Sequence, residues 1–151
     1  MKVRIDLVNR QEVRDLPEAL LRDLRAALQE VADLLAAEGK GVLPELEEVV
    51  VSLVDDVDMA RVHGEFMADP TTTDVITFEH GELLLGVEVA ERQGPEYGNS
   101  CERELFLYGI HGLLHLAAYD DIREEDREKM WARQEKILSD YAENWPSFRQ
   151  M

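Results

Sequence analysis

His111-Gly-Leu-Leu-His115-Leu-Ala-Ala-Tyr-Asp120-Asp121 is the stretch from which the rest of the chain can be read. Two histidines stand four residues apart inside an apolar run. A helix turns once in about 3.6 residues and rises about 5.4 Å, so both imidazoles leave one face, one turn apart. Two ring nitrogens so placed can reach one cation at roughly 2.0–2.1 Å each. Ile110, Leu113, Leu114, Leu116 and Ala117 cover the remaining circumference, the pattern of a helix buried on several sides. Past Ala118, the acids of Tyr119-Asp120-Asp121 suit a helix end or turn. A loop folding back over that end brings Asp121 to the same cation. Two His and one Asp leave a coordination position for water, as in hydrolytic zinc sites. The bare spacing fits equally well a pair of satisfied core histidines, with Asp121 capping a helix that begins at Ile122-Arg-Glu-Glu. Gly112 follows the first histidine, so the general base of H-E-x-x-H metalloproteases is absent.

The 151 residues make one ordinary domain with room for a real core. Hydrophobic residues at 45% and charged residues at 32% are those of a soluble globular protein. There is no apolar run of about 18 residues for a membrane span, and Met1-Lys-Val-Arg-Ile-Asp lacks a signal-peptide core. Cys101 stands alone and forms no internal disulfide. These features point to the cytoplasm. Cys101 itself reads as a bystander or as a nucleophile or ligand. Thirty-three acids against 16 bases leave a net charge of −17, which opposes long-range attraction to a phosphate backbone. A solubilising surface accounts for that charge, and so does docking to a basic protein.

Val3, Ile5 and Leu7 alternate with Arg4, Asp6 and Val8 as a first strand. Pro17 opens a long amphipathic helix that runs from near Leu16 to about Glu38 and ends at Gly39-Lys-Gly41. Residues 48–54 are a β-branched second strand. A short helix follows to about Met67, with Asp56 or Asp58 as cap and His63 on it as a surface or groove histidine. A polar loop to Asp74 leads into a third strand, Val75-Ile-Thr-Phe78. Gly81 fits a hairpin turn, and Leu83, Leu85, Val87 and Val89 alternate as a fourth strand with one apolar face, antiparallel to the third. Gly86 reads as a bulge or as room for close approach of substrate backbone. Residues 90–99 read as a linker or a turn of helix, and Ser100 caps the central helix. Glu104, two turns before His111, is an acid near a helix N-terminus or a partner for an imidazole; Asp120 is a second such partner. From Glu124 to about Asn144 a last helix packs through Met130, Trp131, Gln134, Ile137, Leu138 and Tyr141. Residues 145–151 are expected to fray.

The central stretch resembles the H-G-x-L-H-L-x-G-Y-D-H signature of the YbeY family, bacterial single-domain metalloproteins assigned to ribosomal RNA maturation as endoribonucleases. Thr73-Asp-Val-Ile-Thr-Phe78 is similar to that family's P-T-D-V-L-S-F, and Glu82-Leu-Leu-Leu-Gly86 matches its next strand in order and spacing. The resemblance spans nearly the whole chain. It implies an α+β fold in a single domain, 1–151, with a small mixed sheet of about four strands packed with helices and a metal site on a buried helix. It implies one Zn2+ per chain, or another divalent transition metal, held by His111, His115 and Asp121. Asp74, Glu88 and His80 are then the catalytic candidates. The implied activity is metal-dependent, single-strand-type endoribonuclease action in the cytoplasm on ribosomal RNA or a small-subunit precursor, with a basic ribosomal protein as a further partner and no membrane.

The chain departs from the family pattern at several positions. Asp121 stands where the family has its third histidine. Ala118 stands for a glycine and His63 for an asparagine. Met67 stands where an arginine precedes T-D-V, and Val87 where the family's L-G-D has an acid, with Glu88 adjacent. Two further readings follow from these departures and from the charge. One is a non-catalytic ribosome-assembly factor with a structural metal. The other is a hydrolase acting on a substrate other than RNA.

Overall fold

The computed structural model describes residues 2–149. Its elements run β1 (Arg4–Asn9), α1 (Glu18–Ala36), β2 (Glu48–Val54), α2 (Asp56–Met67), β3 (Val75–Phe78), β4 (Glu82–Gly86), α3 (Val87–Gln93), α4 (Cys101–Leu116) and α5 (Glu124–Ala142), with short 3-10 turns at Leu43–Glu45, Pro95–Tyr97 and Pro146–Phe148. The sheet order is β1-β2-β4-β3. β1, β2 and β4 are parallel, and β3 runs antiparallel to β4 on the edge. This is the α+β fold with a four-stranded mixed sheet. Among the described residues, no helix is long and apolar enough to cross a membrane.

α4 is the axis of the main core. Leu105, Phe106, Ile110, Leu113 and Leu114 on it are fully buried. Two glycines let it come close to its neighbours. A Cβ on Gly109 would lie 2.5 Å from Leu28 of α1, and one on Gly112 would lie 2.8 Å from Leu83 of β4. The second face of the sheet carries a smaller cluster of Val54, Met59, Ile76 and Leu84 beneath α2. β4 therefore buries side chains on both faces, as interior parallel strands do, and does not have the one apolar face that alternation suggests.

The strand expected to reach Val89 stops at Gly86, and Val87–Gln93 is helix. The sheet runs out of partners there. Val54 at the end of β2 pairs with Gly86, and β3 reaches only Leu85 through Val75. Beyond that point Val87, Val89 and Ala90 are buried on a helix instead. Gly86 allows a close approach, but an internal one: its Cβ would meet the Thr73 carbonyl at 3.0 Å. The α2 cap is Asp55, whose side chain accepts from the Asp58 amide; it is neither of the two acids expected.

Two expectations about the C-terminal part are corrected. Met130, Gln134, Ile137 and Leu138 are buried along α5, but Trp131 is exposed, because the buried positions recur at i, i+4, i+7 and i+8 and leave it a third of a turn aside. The segment after α5 does not fray through residue 149. Phe148 is buried and stacks on Phe106 at 4.8 Å, Arg103 donates to the Phe148 carbonyl, and Ser147 donates to Asp23 at 2.7 Å. Residues 150 and 151 lie outside the described residues.

Candidate metal centre

α4 ends in a backbone device that places the site. The Tyr119 amide donates back to the Leu114 carbonyl at 3.0 Å and the Ala118 amide to the His115 carbonyl at 3.2 Å. This is the two-bond arrangement that follows a left-handed residue after a helix. That residue is Ala118, at φ 71°. The turn sends Tyr119-Asp120-Asp121 back across the helix end. Asp121 Oδ2 thereby lies 3.5 Å from His115 Nε2 and 3.8 Å from His111 Nε2, and the two ring nitrogens are 3.2 Å apart. Donor atoms around one tetrahedral zinc at roughly 2.0–2.2 Å stand about 3.4 Å from one another. The three donors here are spaced for that, and their chemistry, two imidazoles and a carboxylate, is a zinc set.

An L-residue in the left-handed region costs about 1–2 kcal/mol, and glycine loses about 0.5–1 kcal/mol of that advantage to backbone entropy. Ala118→Gly is therefore expected to stabilise the fold by about 0.5–1 kcal/mol, read as a Tm rise of about 2–4 °C. A lower Tm would contradict the strain assigned to this turn.

Each histidine is oriented from its other side. The Gln134 side-chain oxygen on α5 accepts from His111 Nδ1 at 2.9 Å, which leaves His111 Nε2 as the bare nitrogen facing the cluster. The backbone carbonyl of Tyr119 is the partner of the His115 ring. Spacing alone placed Gln134 in a packing stripe and gave it no role at the site. The available signal was its polarity: a buried amide in an apolar stripe needs a partner. Replacing Gln134 with leucine should weaken zinc binding by about 10–100-fold, with the fold kept, by competition against a chromophoric chelator. Unchanged affinity would reduce Gln134 to packing.

Burial, with His111 beside it, holds His115 below the ordinary histidine value, and Asp121 opposes this only partly. His115 is thus neutral and ready to ligate at neutral pH. The unfolded chain protonates this residue at pH values where the folded chain does not. The metal-free protein should therefore lose stability as pH falls through about 6.5 and gain none from this group above it. Thermal melts of wild type and His115→Gln across that window give the contribution as their difference. No difference would mean that His115 titrates as freely as in the unfolded chain.

The three candidate ligands open into a cavity of about 740 Å³ whose walls include His63, Met67, Thr73, Asp74 and Tyr119. β3 forms one wall with its unpaired edge, through Val75, Ile76 and Thr77. Asp74 lies on this wall, and its Oδ1 accepts from the Val75 amide at 2.8 Å. His63 is tied to the Thr71 carbonyl at 2.9 Å.

Two other sequence candidates, Glu88 and His80, lie elsewhere. Glu88 accepts from the Asp56 amide at 2.9 Å and serves the start of α2. His80 stacks on Phe78 and pairs with Glu82 at 3.4 Å, outside this cavity. Both follow β3 or β4 closely in sequence, but the start of α3 and the hairpin turn direct them away from this cavity. Glu104 accepts from Asn99 and does not reach an imidazole in hydrogen-bonding contact, and Asp120 accepts from the Ile122 amide. The Cys101 thiol is buried and pushed up to about 12 by desolvation, so it is inert.

A mixed sheet backed by a helix that carries a histidine pair, with a carboxylate returned to it by the following turn, defines a metal-dependent hydrolase class of site. The chain belongs to the YbeY family: the family model described as Endoribonuclease YbeY matches residues 6–142. It is similar to the endoribonuclease YbeY of Oceanobacillus iheyensis, 32% identical over 149 residues that cover 86% of this chain and 96% of that one. The Bacillus subtilis protein of the same name is 30% identical over 160 residues, covering 93% and 97%. The solution structure of TM1509 from Thermotoga maritima superposes with a TM-score of 0.66 at 26% identity, covering 96% of this chain and 95% of that one.

Proposed function

We propose that this YbeY-family endoribonuclease cuts single-stranded segments of ribosomal RNA, in the cytoplasm, with one zinc held by His111, His115 and Asp121. The observation that carries the reading is the convergence of Nε2, Nε2 and Oδ2 at 3.2–3.8 Å on the wall of an open cavity. A family named for nuclease activity favours catalysis over the non-catalytic assembly role. Zinc in such a set supplies Lewis acidity toward a phosphoryl oxygen and a more acidic water at neutral pH.

The chain's own residues do the rest. Gln134 orients the His111 imidazole and the Tyr119 carbonyl the His115 one, and Asp121 is the one carboxylate of the set. Such a site carries one positive charge less than a three-histidine site would. Among the described residues, no lysine or arginine lines the cavity. An RNA strand is therefore held by the exposed backbone of β3 beyond Val75, whose amide is taken by Asp74, and by the metal site, with little counterion release. Asp74, which lines the cavity together with Asp69, Glu79 and Asp120, is the carboxylate assigned to accepting a proton or orienting a ribose hydroxyl. The reading is tested with zinc-loaded protein and a ribosomal RNA fragment, wild type beside His115→Ala. Equal cleavage by the variant would overturn it.

A further inference from the structure

A second cleft of about 560 Å³ lies against the first and shares two residues with it, Asp74 and His111. Its floor holds Tyr108, Glu104 and Gln134, and its rim holds Trp131 and Tyr97. Trp131 is 62% exposed and Tyr97 70% exposed. The other tryptophan, Trp145, is spent on structure: it packs against the main core and donates to Glu30 at 3.2 Å. No such use is found for the Trp131 ring among the described residues.

The electrostatics of this cleft select what enters it. Its one cation among the described residues, Arg103, is committed to the Phe148 carbonyl and to Asn99. Glu104, Glu135 and Asp74 remain as carboxylates along the lining, and, unlike the first cavity, this cleft holds no complete metal-ligand set among the described residues to offset them, so a phosphate is repelled. An uncharged aromatic ring with exocyclic amino donors is not, and the volume lies within the range of about 300–1,000 Å³ usual for small-ligand sites. Unpaired bases are the parts of an RNA strand with those properties, and proteins hold them by stacking on exposed aromatic side chains.

We infer that this cleft is a nucleobase subsite, in which Trp131, with Tyr97 on the same rim, stacks an unpaired base of the strand whose backbone lies in the neighbouring metal cavity. The inference rests on the endoribonuclease reading of that cavity. It makes Trp131 a substrate-positioning residue and ties cleavage to single-stranded RNA.

The chain has two tryptophans, so Trp145→Phe leaves Trp131 as the sole tryptophan reporter. The zinc-loaded variant is titrated with a short 2′-O-methyl oligoadenylate, which cannot be cut through its 2′ oxygen, and with its abasic counterpart. The oligoadenylate should quench Trp131 fluorescence saturably, and the abasic strand should not. Trp131→Ala in the otherwise natural chain should bind oligoadenylate roughly tenfold more weakly, with zinc content unchanged, and Trp131→Phe should recover most of the loss. If wild type cuts RNA while Trp131→Ala binds and cuts as well as wild type, the subsite falls and the nuclease reading stands. If zinc-loaded wild type neither binds nor cuts RNA, both fall together.

Discussion

His115→Ala should purify with almost no zinc, against about one equivalent in wild type, and should have no RNA cleavage above background. The expectation follows from geometry. His115 Nε2 is the donor nearest to both other ligands, at 3.2 Å from His111 and 3.5 Å from Asp121. Without it, a histidine and a half-exposed carboxylate remain, too few to hold zinc against a chelator. Affinity should fall by well over about a hundredfold, beyond the loss typical of an outer hydrogen-bond partner. Asp121→Ala should weaken binding less, because the two imidazoles one turn apart remain. Elemental analysis of both variants, with circular dichroism to show that each is folded, checks this. A folded His115→Ala protein with full zinc would remove the site from this helix.

The second large effect lies away from the ligands. Gly41 sits at φ 71°, and a Cβ there would lie 2.4 Å from the Leu116 carbonyl oxygen and 2.6 Å from the Ala118 nitrogen. Both contacts are backbone, so no rotamer change relieves them. Val42 also donates to the Leu116 carbonyl at 3.0 Å. The loop after α1 is thus clamped onto the end of α4, where the chain turns back to deliver Asp121. Gly41→Ala combines left-handed strain of about 1–2 kcal/mol with overpacking of about 1–3 kcal/mol. A loss of about 3 kcal/mol, or about 10 °C in Tm, is expected, and zinc affinity should fall with it because the Ala118 turn is displaced. A Tm within about 2 °C of wild type would show that the loop yields without cost.

The two predictions differ in how far the chain alone reveals them. His111 and His115 are legible because helical spacing is local: four residues place two side chains on one face whatever surrounds them. The same locality makes β2, β3, the Ser100 cap and the extent of α4 legible from β-branched runs, a turn glycine and an apolar period. Gly41 reads only as a helix stop, since its crowding comes from residues some 75 positions later in the chain. Gln134 is hidden for the same reason, 23 residues from the ring it orients.

Where alternation misled, long-range pairing was the cause. Val87 and Val89 continue a strand pattern, but β2 and β3 have no residues left to pair with them, so the chain coils into α3. Glu88 then turns to the start of α2. His80 follows β3 closely in sequence yet lies outside the metal cavity, because it sits in the hairpin turn, where it stacks on Phe78 and pairs with Glu82. Trp131 looks apolar enough for the core, but only packing of α5 against α4 determines which of its faces is inside.

By itself, the sequence determined the central helix and the histidine pair, through short-range periodicity, and the likeness to the YbeY family, through motif spacing, with the α+β class that this likeness implies. Tertiary structure alone decided how Asp121 meets those histidines, what orients them, which acids stay out of the cavity and where Trp131 stands. Those outcomes depend on contacts between residues distant in the chain, whose geometry arises only when the sheet, α4 and α5 pack together.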